Sequence, residues 1–597
     1  MRNLYSRYTL EEYDSDGLLT NFDLSWPADY NFAYDVVDDI AAAEPDRPAM
    51  VWCNPEGEEH VFSFGDLKYW SDKSANFLAD AGVKKGELVL VILRRHYQFW
   101  FIALALNKLG AVLVPATFML KEHDVAYRVN SAEIKTVICT DLGDIAEIID
   151  NSLSDCPSLK TKILVNGGGG GLGKRTDKPD DSSLSGSAGI CALSATREGW
   201  IDYNSAVLAA SPDFARRETL AADPMIMYFS SGTSGNPKMV LHDSSYSLAH
   251  LGTARHWQQV KSDGGLHFTI ADTGWGKAVW GKFYGQFLME ANVLTYDFDR
   301  FDPDEICSLI EKYKVSTFCA PPTMYRMIMA ANAADYDLSS IEHSVTAGEA
   351  LNPDLFESWH KLTGLYIYEG FGQTETPVTV CNIAGMTPKP GSMGRPLALY
   401  DIRILDAEGV ECATGQTGEI CIKTDTEDPE QPFPPGIMLE YYRDADKTNE
   451  TIFDGWYHSG DLAWRDEEGY YWYVGRNDDV IKSSGYRIGP FEVESVLIEH
   501  PAVRECAVTG VPDEVRGFAV KASIVLNDGY LASDELTAEL QDFVKRETAP
   551  YKYPRIISYI DEIPKTVNGK IRRAAIRAQD SADAAVAAKR APEEFGG

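Results

Sequence analysis

The feature that most constrains the fold is the alternation of short apolar runs with amphipathic segments along most of the chain. The runs typical of buried strands are 88–93, 112–115, 136–140, 162–165, 225–229, 267–270, 293–296, 317–320, 344–347 and 365–368. A helical pattern covers 99–109, between the first two of them. Strands separated by helical patterns indicate βαβ units, so we predict an α/β protein with parallel or mixed sheets.

The length and the changes of pattern divide the chain into domains. Its 597 residues are too many for a single hydrophobic core. Strands and turns replace the earlier pattern at 400–476, and helices mix with strands after that. We predict a large domain over 1–476, with a β-rich subdomain at about 400–476, and a small α+β domain over 477–580.

Three stretches depart from these patterns. Residues 166–198 are rich in Gly and Ser, which is typical of a flexible surface loop inserted in the domain. This stretch lacks the Gly-Lys-Ser/Thr ending of a phosphate loop. We expect the low-complexity tail 581–597 to be disordered and the arm formed by residues 1–30 to be partly ordered.

The charge excludes some classes of partner. With 55 Lys and Arg against 90 Asp and Glu, the net charge is −35, which argues against nucleic acid or an anionic membrane. The most apolar region, 88–119, is interrupted by charged and polar side chains, so it cannot supply about 20 apolar residues for a membrane span. Self-association stays open.

The cysteines and the amino terminus predict a location. The ten cysteines include no CxxC pair and lie in apolar runs, as reduced core residues do. The segment MRNLYSRYTLEEYDSDG has early acidic residues and no apolar block, which is typical of neither a signal peptide nor a transit peptide. We therefore predict a cytoplasmic protein without a zinc site.

The first motif that carries chemistry is residues 227–250, MYFSSGTSGNPKMVLHDSSYSLAH. Small residues between a strand pattern and a helical pattern let the backbone approach a polyphosphate. Hydroxyl and N–H groups donate hydrogen bonds to it, and Lys238 adds positive charge. The alternative is a Ser/Gly surface turn without a ligand.

The second motif is residues 368–377, YEGFGQTETP. It follows a strand pattern, so its side chains lie at the carboxyl edge of a sheet, where open α/β sheets bind ligands. Thr374 offers a hydrogen-bond donor, and Glu375 offers the hard oxygen that Mg²⁺ prefers. In isolation the same residues are more typical of the capped start of a solvated helix.

Two further motifs lie near the domain junction and the carboxyl end. The junction is YHSGDLAWRDEEGYYWYVGRNDDVIKSSGYRIGPFEVE, residues 457–494. Asp461 follows a glycine on a turn there, and 469–474 is typical of an aromatic strand. The last motif, PKTVNGKIRR, places Lys570 after the turn Asn568-Gly569. Spacing alone is also consistent with a surface β-hairpin and a solvated lysine.

Together the four motifs resemble those of the acyl-adenylate-forming enzymes, a superfamily of acyl-CoA synthetases, peptide-synthetase adenylation domains and luciferases. The resemblance covers about residues 30–575 and is greatest to medium-chain acyl-CoA synthetases. It implies that carboxylate and ATP form acyl-AMP and pyrophosphate, and that CoA then takes the acyl group. It also implies Mg²⁺ and a mobile small domain that rotates about Asp478.

The resemblance implies roles for individual residues in binding ATP. Residues for the β- and γ-phosphates are Ser230, Ser231, Gly232, Thr233, Ser234, Gly235 and Lys238. Residues that line the adenine are Gly348, Glu349 and Ala350 on one side, with Glu369, Gly370 and Phe371 on the other. Gly372 and Gln373 belong to the same motif. Thr374 would contact the α-phosphate, Glu375 would bind Mg²⁺, Asp461 would accept from both ribose hydroxyls and Arg476 would hold ribose or phosphate.

Other roles concern catalysis and CoA. Lys570 would lie beside the carboxylate and α-phosphate, where a cation offsets developing charge. After the rotation, Ser484, Gly485, Tyr486 and Arg487 would reach the active site. Arg516 resembles a basic residue that contacts CoA, although a solvated surface arginine fits its pattern equally well. Lys570 also resembles a site of acetylation, which would remove its charge.

The acyl pocket is predicted from the segment ADTGWGKAVWGKFYGQF. It resembles an acyl-binding helix, so Trp275, Gly276 and Trp280 would line an apolar pocket, although both tryptophans are also typical of a core. Acetyl-CoA synthetases carry a bulky Trp at the position of Gly372, so glycine would leave room for a medium-chain, branched or aromatic acid. Met119 departs from the medium-chain pattern, in which a polar residue occurs.

Alternatives to a CoA synthetase remain. No carrier domain follows the small domain, so free CoA is the expected acceptor. A stand-alone ligase that loads a separate carrier protein shares every adenylation motif. A non-catalytic paralogue would lack Lys570, Glu375 or Asp461, and all three are present. A luciferase-like oxygenase would consume O₂.

Overall fold

The computed structural model describes residues 3–167, 197–230, 236–349, 351–425, 433–483, 486–513, 516–565 and 571–580. For Tyr486 and Arg487 it describes the backbone alone. Most of the loop predicted at 166–198, and the whole tail 581–597, lie outside these residues.

A mixed sheet forms one half of the large domain. Its strands, in order across the sheet, are Glu440–Tyr441, Lys238–Asp243, Pro224–Ser230, Val112–Pro115, Leu88–Ile92, Thr136–Thr140, Thr161–Val165 and Ile201–Asp202. From Pro224–Ser230 to Ile201–Asp202 neighbouring strands run parallel. These parallel strands are almost wholly apolar because helices cover both faces of such a sheet.

A second large sheet forms the other half. Its strands, in order, are Arg395–Pro396, Val378–Cys381, Ile367–Gly372, His343–Ala347, Thr317–Cys319, Leu266–Thr269, Asn292–Tyr296, Pro48–Cys53 and Glu59–Ser63. The strands from Ile367–Gly372 to Pro48–Cys53 are parallel. The two sheets confirm the predicted α/β class.

Helices pack on these sheets. In the large domain they are Asp39–Ala43, Phe64–Asp80, Gln98–Leu109, Glu122–Ser131, Ile145–Asn151, Tyr203–Ala209, Ser245–Leu251, Gly276–Lys282, Tyr284–Leu288, Pro303–Tyr313, Pro322–Ala330, Pro353–Thr363 and Ala445–Thr451. Their ends follow local chemistry. Ser63 and Asp66 form a capping box at the start of Phe64–Asp80. Gly110, with φ of 68°, ends Gln98–Leu109.

Two smaller sheets complete the chain. The β-rich region contains Ile402–Leu405, Gly418–Lys423, Trp456–Arg465, Ile452–Phe453 and Tyr471–Arg476, all antiparallel. The last sheet contains Tyr486–Ile488, Ile481–Ser483, Gly517–Leu526, Val503–Asp513 and Ile556–Tyr559. The helices Pro490–Glu499 and Asp534–Glu547 accompany it. Its buried side chains form apolar clusters that, among the described residues, include none before residue 477.

The amino-terminal arm is more ordered than its sequence predicts. The strands Thr9–Tyr13 and Leu19–Leu24 form a hairpin. Glu11 accepts two hydrogen bonds from Arg255, at 2.6 and 2.8 Å. Hydrogen bonds with His256 and Arg255 hold the pKa of Glu11 well below its usual value, against the opposing effect of burial. A bidentate pair between residues so distant in sequence has no local signal.

Other expectations from composition concern membranes and cysteines. In the described ranges no helix is long and apolar enough to cross a bilayer. Every cysteine in those ranges is a buried thiol.

Candidate active site

The site lies at the carboxyl ends of strands in the second large sheet. Gly348 follows the strand His343–Ala347, and Gly372 closes Ile367–Gly372. Lys277, on the helix Gly276–Lys282, donates from Nζ to the carbonyl of Ala347 at 2.9 Å. This bond joins the predicted acyl segment to the predicted adenine segment at one sheet edge.

The side chain of Asp461, a predicted nucleotide-binding residue, is held in place by hydrogen bonds. It is buried, and its carboxylate accepts hydrogen bonds from Gln373 Nε2 and, at 3.0 Å, from the hydroxyl of Tyr473. The Nη1 atom of Arg476 lies 3.6 Å from Asp461 Oδ2, because the two residues pair across antiparallel strands. Burial and the Asp461 carboxylate both raise the pKa of Tyr473, so it remains a donor. The structure therefore brings Gln373, Asp461 and Arg476 together, and the predicted ribose role of Asp461 stays a prediction.

Glu375 and Lys238 both lie beside Tyr441. The hydroxyl of Tyr441 donates to Glu375 Oε1 at 2.9 Å, and the Met438 N–H donates to the Glu375 carbonyl at 2.8 Å. The Lys238 ammonium lies 5.0 Å from the centre of the same Tyr441 ring. Burial lowers the pKa of Lys238, and the Glu375 charge opposes that shift.

The predicted phosphate loop starts beside this group. Ser230 and Lys238 are paired on adjacent antiparallel strands, so the residues between them form the connection. Ser231, Gly232, Thr233, Ser234 and Gly235 lie outside the described residues. Thr374 is half-buried, and its carbonyl accepts from His242 Nε2 at 2.8 Å. Burial lowers the pKa of His242 to about 4, which keeps that ring neutral.

The donor set fits a magnesium nucleotide. Glu375 supplies carboxylate oxygen, the ligand type that Mg²⁺ selects. The cations Lys238 and Arg476 lie close enough to influence Glu375 and one another electrostatically. Phosphate oxygens need such cations in a protein with a net charge of −35. These side chains therefore suit a polyphosphate and a hard divalent cation.

The first of the predicted adenine segments begins at a glycine with open space beside its backbone. Gly348 has φ of 97°, and a Cβ there would meet nothing within 4 Å. Glu349 accepts from the Thr323 hydroxyl at 2.9 Å, and Ala350 lies outside the described residues. A Cβ on Gly370 would lie 2.7 Å from the Trp257 ring, so the strand needs glycine there.

Glu369 and Phe371 occupy the other side of that strand segment. Burial raises the pKa of Glu369 to about 8, and its Oε2 has no partner among the described residues. The ring of Phe371 lies 6.3 Å from that of Tyr473, which binds Asp461. The predicted adenine and ribose segments are thus neighbours.

The predicted acyl segment packs tightly on the first sheet. A Cβ on Gly274 would lie 2.3 Å from the backbone nitrogen of Thr117, so only glycine fits. Trp275 is half-buried, and its Nε1 is buried without a partner among the described residues. A Cβ on Gly276 would lie 3.7 Å from the Tyr228 ring. Trp280 is half-buried, 5.8 Å from Trp257 between ring centres.

The local backbone packing explains why residue 372 is a glycine, and the sequence did not reveal this reason. The strand register shifts between Phe371 and Gly372, and a Cβ on Gly372 would lie 2.3 Å from the Pro377 carbonyl oxygen. The backbone conformation itself therefore requires glycine. The role of Gly372 in widening the acyl pocket stays a prediction.

The residues predicted for the CoA step are less fully described. Asp478 Oδ1 lies 3.5 Å from Arg476 Nε, and Arg516 lies 3.5 Å from Asp513, three residues before it. Arg487 pairs through its backbone with Lys482. Tyr486 is the first residue of the strand Tyr486–Ile488. Ser484, Gly485 and Lys570 lie outside the described residues.

Tyr441 and Tyr473 were not predicted, although each binds a predicted site carboxylate. Tyr473 lies in the aromatic run 469–474, where strand alternation could have indicated which rings face Asp461. Tyr441 has no comparable signal. It reaches Glu375 because a short strand, Glu440–Tyr441, adds to the edge of the first sheet.

Curated proteins similar to this chain are acyl-CoA synthetases. The chain is 38% identical over 586 residues to the mouse mitochondrial acyl-coenzyme A synthetase ACSM4, covering 97% of this chain and 94% of that protein. It is 38% identical over 574 residues to human mitochondrial ACSM3, covering 95% and 92%.

These relatives correct the predicted location. Mouse ACSM4 and ACSM3 and orangutan ACSM3 are all named as mitochondrial proteins. The cytoplasmic location predicted from the amino terminus and the cysteines is therefore wrong, and the relatives point to mitochondria. The absence of a transit pattern in the first residues was a poor guide.

Solved structures and family models agree with this similarity. The anthranilate CoA ligase AuaEII bound to anthranoyl-AMP has a TM-score of 0.81 and 26% identity, covering 94% of this chain and 99% of its own. An acyl-CoA synthetase of Brucella canis has a TM-score of 0.67 and 28% identity, covering 93% and 95%. The model of AMP-binding enzymes matches residues 37–430, and that of the AMP-binding enzyme C-terminal domain matches 492–570. The chain therefore belongs to the family of AMP-binding enzymes.

Proposed function

We propose that the protein is an AMP-forming acyl-CoA synthetase that activates a medium-chain, branched or aromatic carboxylic acid. The observation that carries the proposal is the joint placement of Asp461, Gln373 and Arg476 beside the group of Glu375, Tyr441 and Lys238. One group suits ribose and the other suits phosphates with Mg²⁺. The similarity to acyl-coenzyme A synthetases along nearly the whole chain supports an acyl substrate.

In the first half-reaction the carboxylate of the acid attacks the α-phosphorus of ATP. An oxygen–phosphorus bond forms, the bond to the β-phosphate bridge breaks, and pyrophosphate leaves. Asp461 holds the ribose, Lys238 and Arg476 attract the phosphates, and Lys570 offsets the charge that develops. Mg²⁺, held by Glu375, would neutralise phosphate charge when bound.

In the second half-reaction the sulfur of CoA attacks the acyl carbon and AMP leaves. We propose that residues 477–580 form a small domain that rotates about Asp478 relative to residues 1–476. The rotation would remove Lys570 and bring Ser484, Gly485, Tyr486 and Arg487 to the site. Arg516 would then contact CoA. The separate apolar clusters of residues 481–576 support such a division.

The acid is proposed from the relatives and from the acyl segment. Among similar structures, AuaEII is an anthranilate CoA ligase, which supports an aromatic acid as one candidate. The half-buried rings of Trp275 and Trp280 would line an apolar pocket, as hydrophobic ligands require.

The test is pyrophosphate release across linear acids of C2 to C12, branched acids and benzoate, with and without CoA. We expect release to peak at C4 to C10 or with aromatic acids, and turnover to require CoA. A preference for acetate would contradict the pocket and leave the chemistry intact.

The second candidate is a ligase that loads a separate carrier protein. It shares the ATP site, so the acceptor alone distinguishes it. Acyl-AMP that forms but is never discharged by free CoA would favour this candidate. Acyl-CoA formation at rates matching pyrophosphate release would exclude it.

A further inference from the structure

The strand that carries Asp461 is irregular directly before that residue. Where Trp456–Arg465 pairs with Gly418–Lys423, Glu419 lies opposite Leu462 and Cys421 lies opposite His458. Three residues, 459–461, therefore face the single residue 420. Gly460, in the middle, has φ of 71°. Such a β-bulge re-aims a side chain that it carries, here the carboxylate of Asp461.

Glu419 binds the middle residue of this bulge and the residue that precedes the bulge. Its Oε1 accepts the Gly460 N–H at 2.7 Å, and its Oε2 lies 3.1 Å from Nδ1 of His458. A carboxylate oxygen accepts from an imidazole N–H, so Nδ1 is the donor. The His458 ring is stacked on Phe453 with 3.9 Å between centres, which fixes its orientation.

The carbonyl groups of Ser459 and Gly460 accept hydrogen bonds on the side of the proposed nucleotide site. The carbonyl of Ser459 accepts from Gln373 Nε2 at 2.9 Å and from Arg476 Nη1 at 3.2 Å. The carbonyl of Gly460 accepts from the Asn477 N–H at 2.8 Å. Gln373 and Arg476 also contact the Asp461 carboxylate. Glu419 thus holds the bulge from one side while the ribose-site residues hold it from the other.

Cys421 makes the same cluster resemble a set of metal ligands. Its Sγ lies 3.5 Å from Nδ1 of His458, and Glu419 is also near. The contacts of Glu419 with the Gly460 N–H and with Nδ1 of His458, at 2.7 and 3.1 Å, are shorter than the 3.5 Å contact of Cys421 with Nδ1. The hydrogen bonds therefore describe a brace for the bulge.

We propose that Glu419 and His458 are positioning residues that hold Asp461 where it accepts both ribose hydroxyls of ATP. The inference rests on the proposed function, in which Asp461 binds the ribose. Neither residue contacts ATP; both act through the backbone of residues 459–461.

Equilibrium binding of ATP, 2′-deoxy-ATP and 3′-deoxy-ATP to the full chain, without acid or CoA, tests the inference. For the wild type, loss of either hydroxyl should weaken binding about tenfold, because it removes a hydrogen bond to a charged group. In Glu419→Ala the preference for ATP should fall to about twofold or less. His458→Ala should lose part of the preference. Glu419→Gln keeps an oxygen for the Gly460 N–H and should retain most of it.

Cys421→Ala is the matched control, because it alters the same cluster without touching the bulge, and it should keep the wild-type preference. An unchanged preference in Glu419→Ala would overturn the inference, as would an equal loss in Cys421→Ala. A wild type without any preference would overturn it as well. A preference that falls in Glu419→Ala, with a wild type that activates no acid, would refute the proposed function and support the inference.

Discussion

At the scale of single residues, burial determines the chemistry of Glu369. Burial raises its pKa to about 8, whereas an unfolded glutamate has a pKa of about 4.3. Between these values the folded protein binds more protons than the unfolded chain, so this residue makes stability fall as pH rises. The contribution of Glu369 to the free energy of unfolding is largest below the pKa that it has in the unfolded chain, and it is lost as the pH rises through about 8.

Glu369→Gln should therefore flatten the dependence of stability on pH. The variant cannot ionise at this position. We therefore expect its free energy of unfolding to increase steadily relative to that of the wild type as the pH rises from about 4.5 to 8. Urea unfolding at several pH values measures this difference. A difference that stays constant over that range would contradict the assignment. Glu349→Gln, at the neighbouring segment, is a suitable control.

Lys570 should matter in only one half-reaction. We expect Lys570→Ala to slow acyl-AMP formation by about 10²–10³-fold, since it removes a cation from the developing charge. Discharge of supplied acyl-AMP by CoA should change little, because the proposed rotation would remove Lys570 from the site. Stopped-flow assays of each half-reaction make the comparison.

An acetyl mimic, Lys570→Gln, that kept full pyrophosphate release would contradict the acetylation hypothesis.

The predictability of the site differs between its residues. Asp461, Gln373 and Glu375 were predicted because their motifs are contiguous in sequence. Tyr441 was not, because it meets Glu375 only after a strand far along the chain joins the first sheet. Gly372 was predicted for the acyl pocket, and the approach of the Pro377 carbonyl that requires glycine arises from a strand irregularity invisible in the sequence.

At the scale of elements, the junction between Tyr471–Arg476 and Ile481–Ser483 is expected to act as the hinge. Asp478 lies there, contacting Arg476. Proline fixes φ near −65°, so Asp478→Pro should hinder the rotation. We expect the CoA half-reaction to slow about tenfold or more, as backbone strain of 1–3 kcal/mol would produce. Acyl-AMP formation should change less, and equal slowing of both steps would contradict the hinge.

Element prediction succeeded where burial dictates composition. The strands Val112–Pro115 and Thr136–Thr140 have the predicted bounds, because parallel strands covered on both faces are continuously apolar. The order of strands across each sheet could not be read from the sequence. Nor could the amino-terminal hairpin, whose docking depends on a pair between Glu11 and Arg255.

At the scale of the whole molecule, the apolar clusters predict separate unfolding of two units. Those of residues 481–576 are distinct from those of the large domain among the described residues. We expect calorimetry to resolve two transitions. ATP at 100 times its Kd should stabilise the unit that binds it by about 2.7 kcal/mol. A single transition that ATP shifts as a whole would contradict the proposed division.

The close packing of Gly274 bears on how substrate range can diversify. A Cβ added at Gly274 would lie 2.3 Å from the Thr117 nitrogen and 2.4 Å from the Ala116 carbonyl carbon, so any replacement would push the acyl segment away from the first sheet. New specificities, whether selected in nature or in a laboratory library, should therefore arise at adjacent positions such as Met119, Trp275 and Trp280. A combinatorial library that holds residue 274 constant and randomises those three should keep far more folded members than one that varies it.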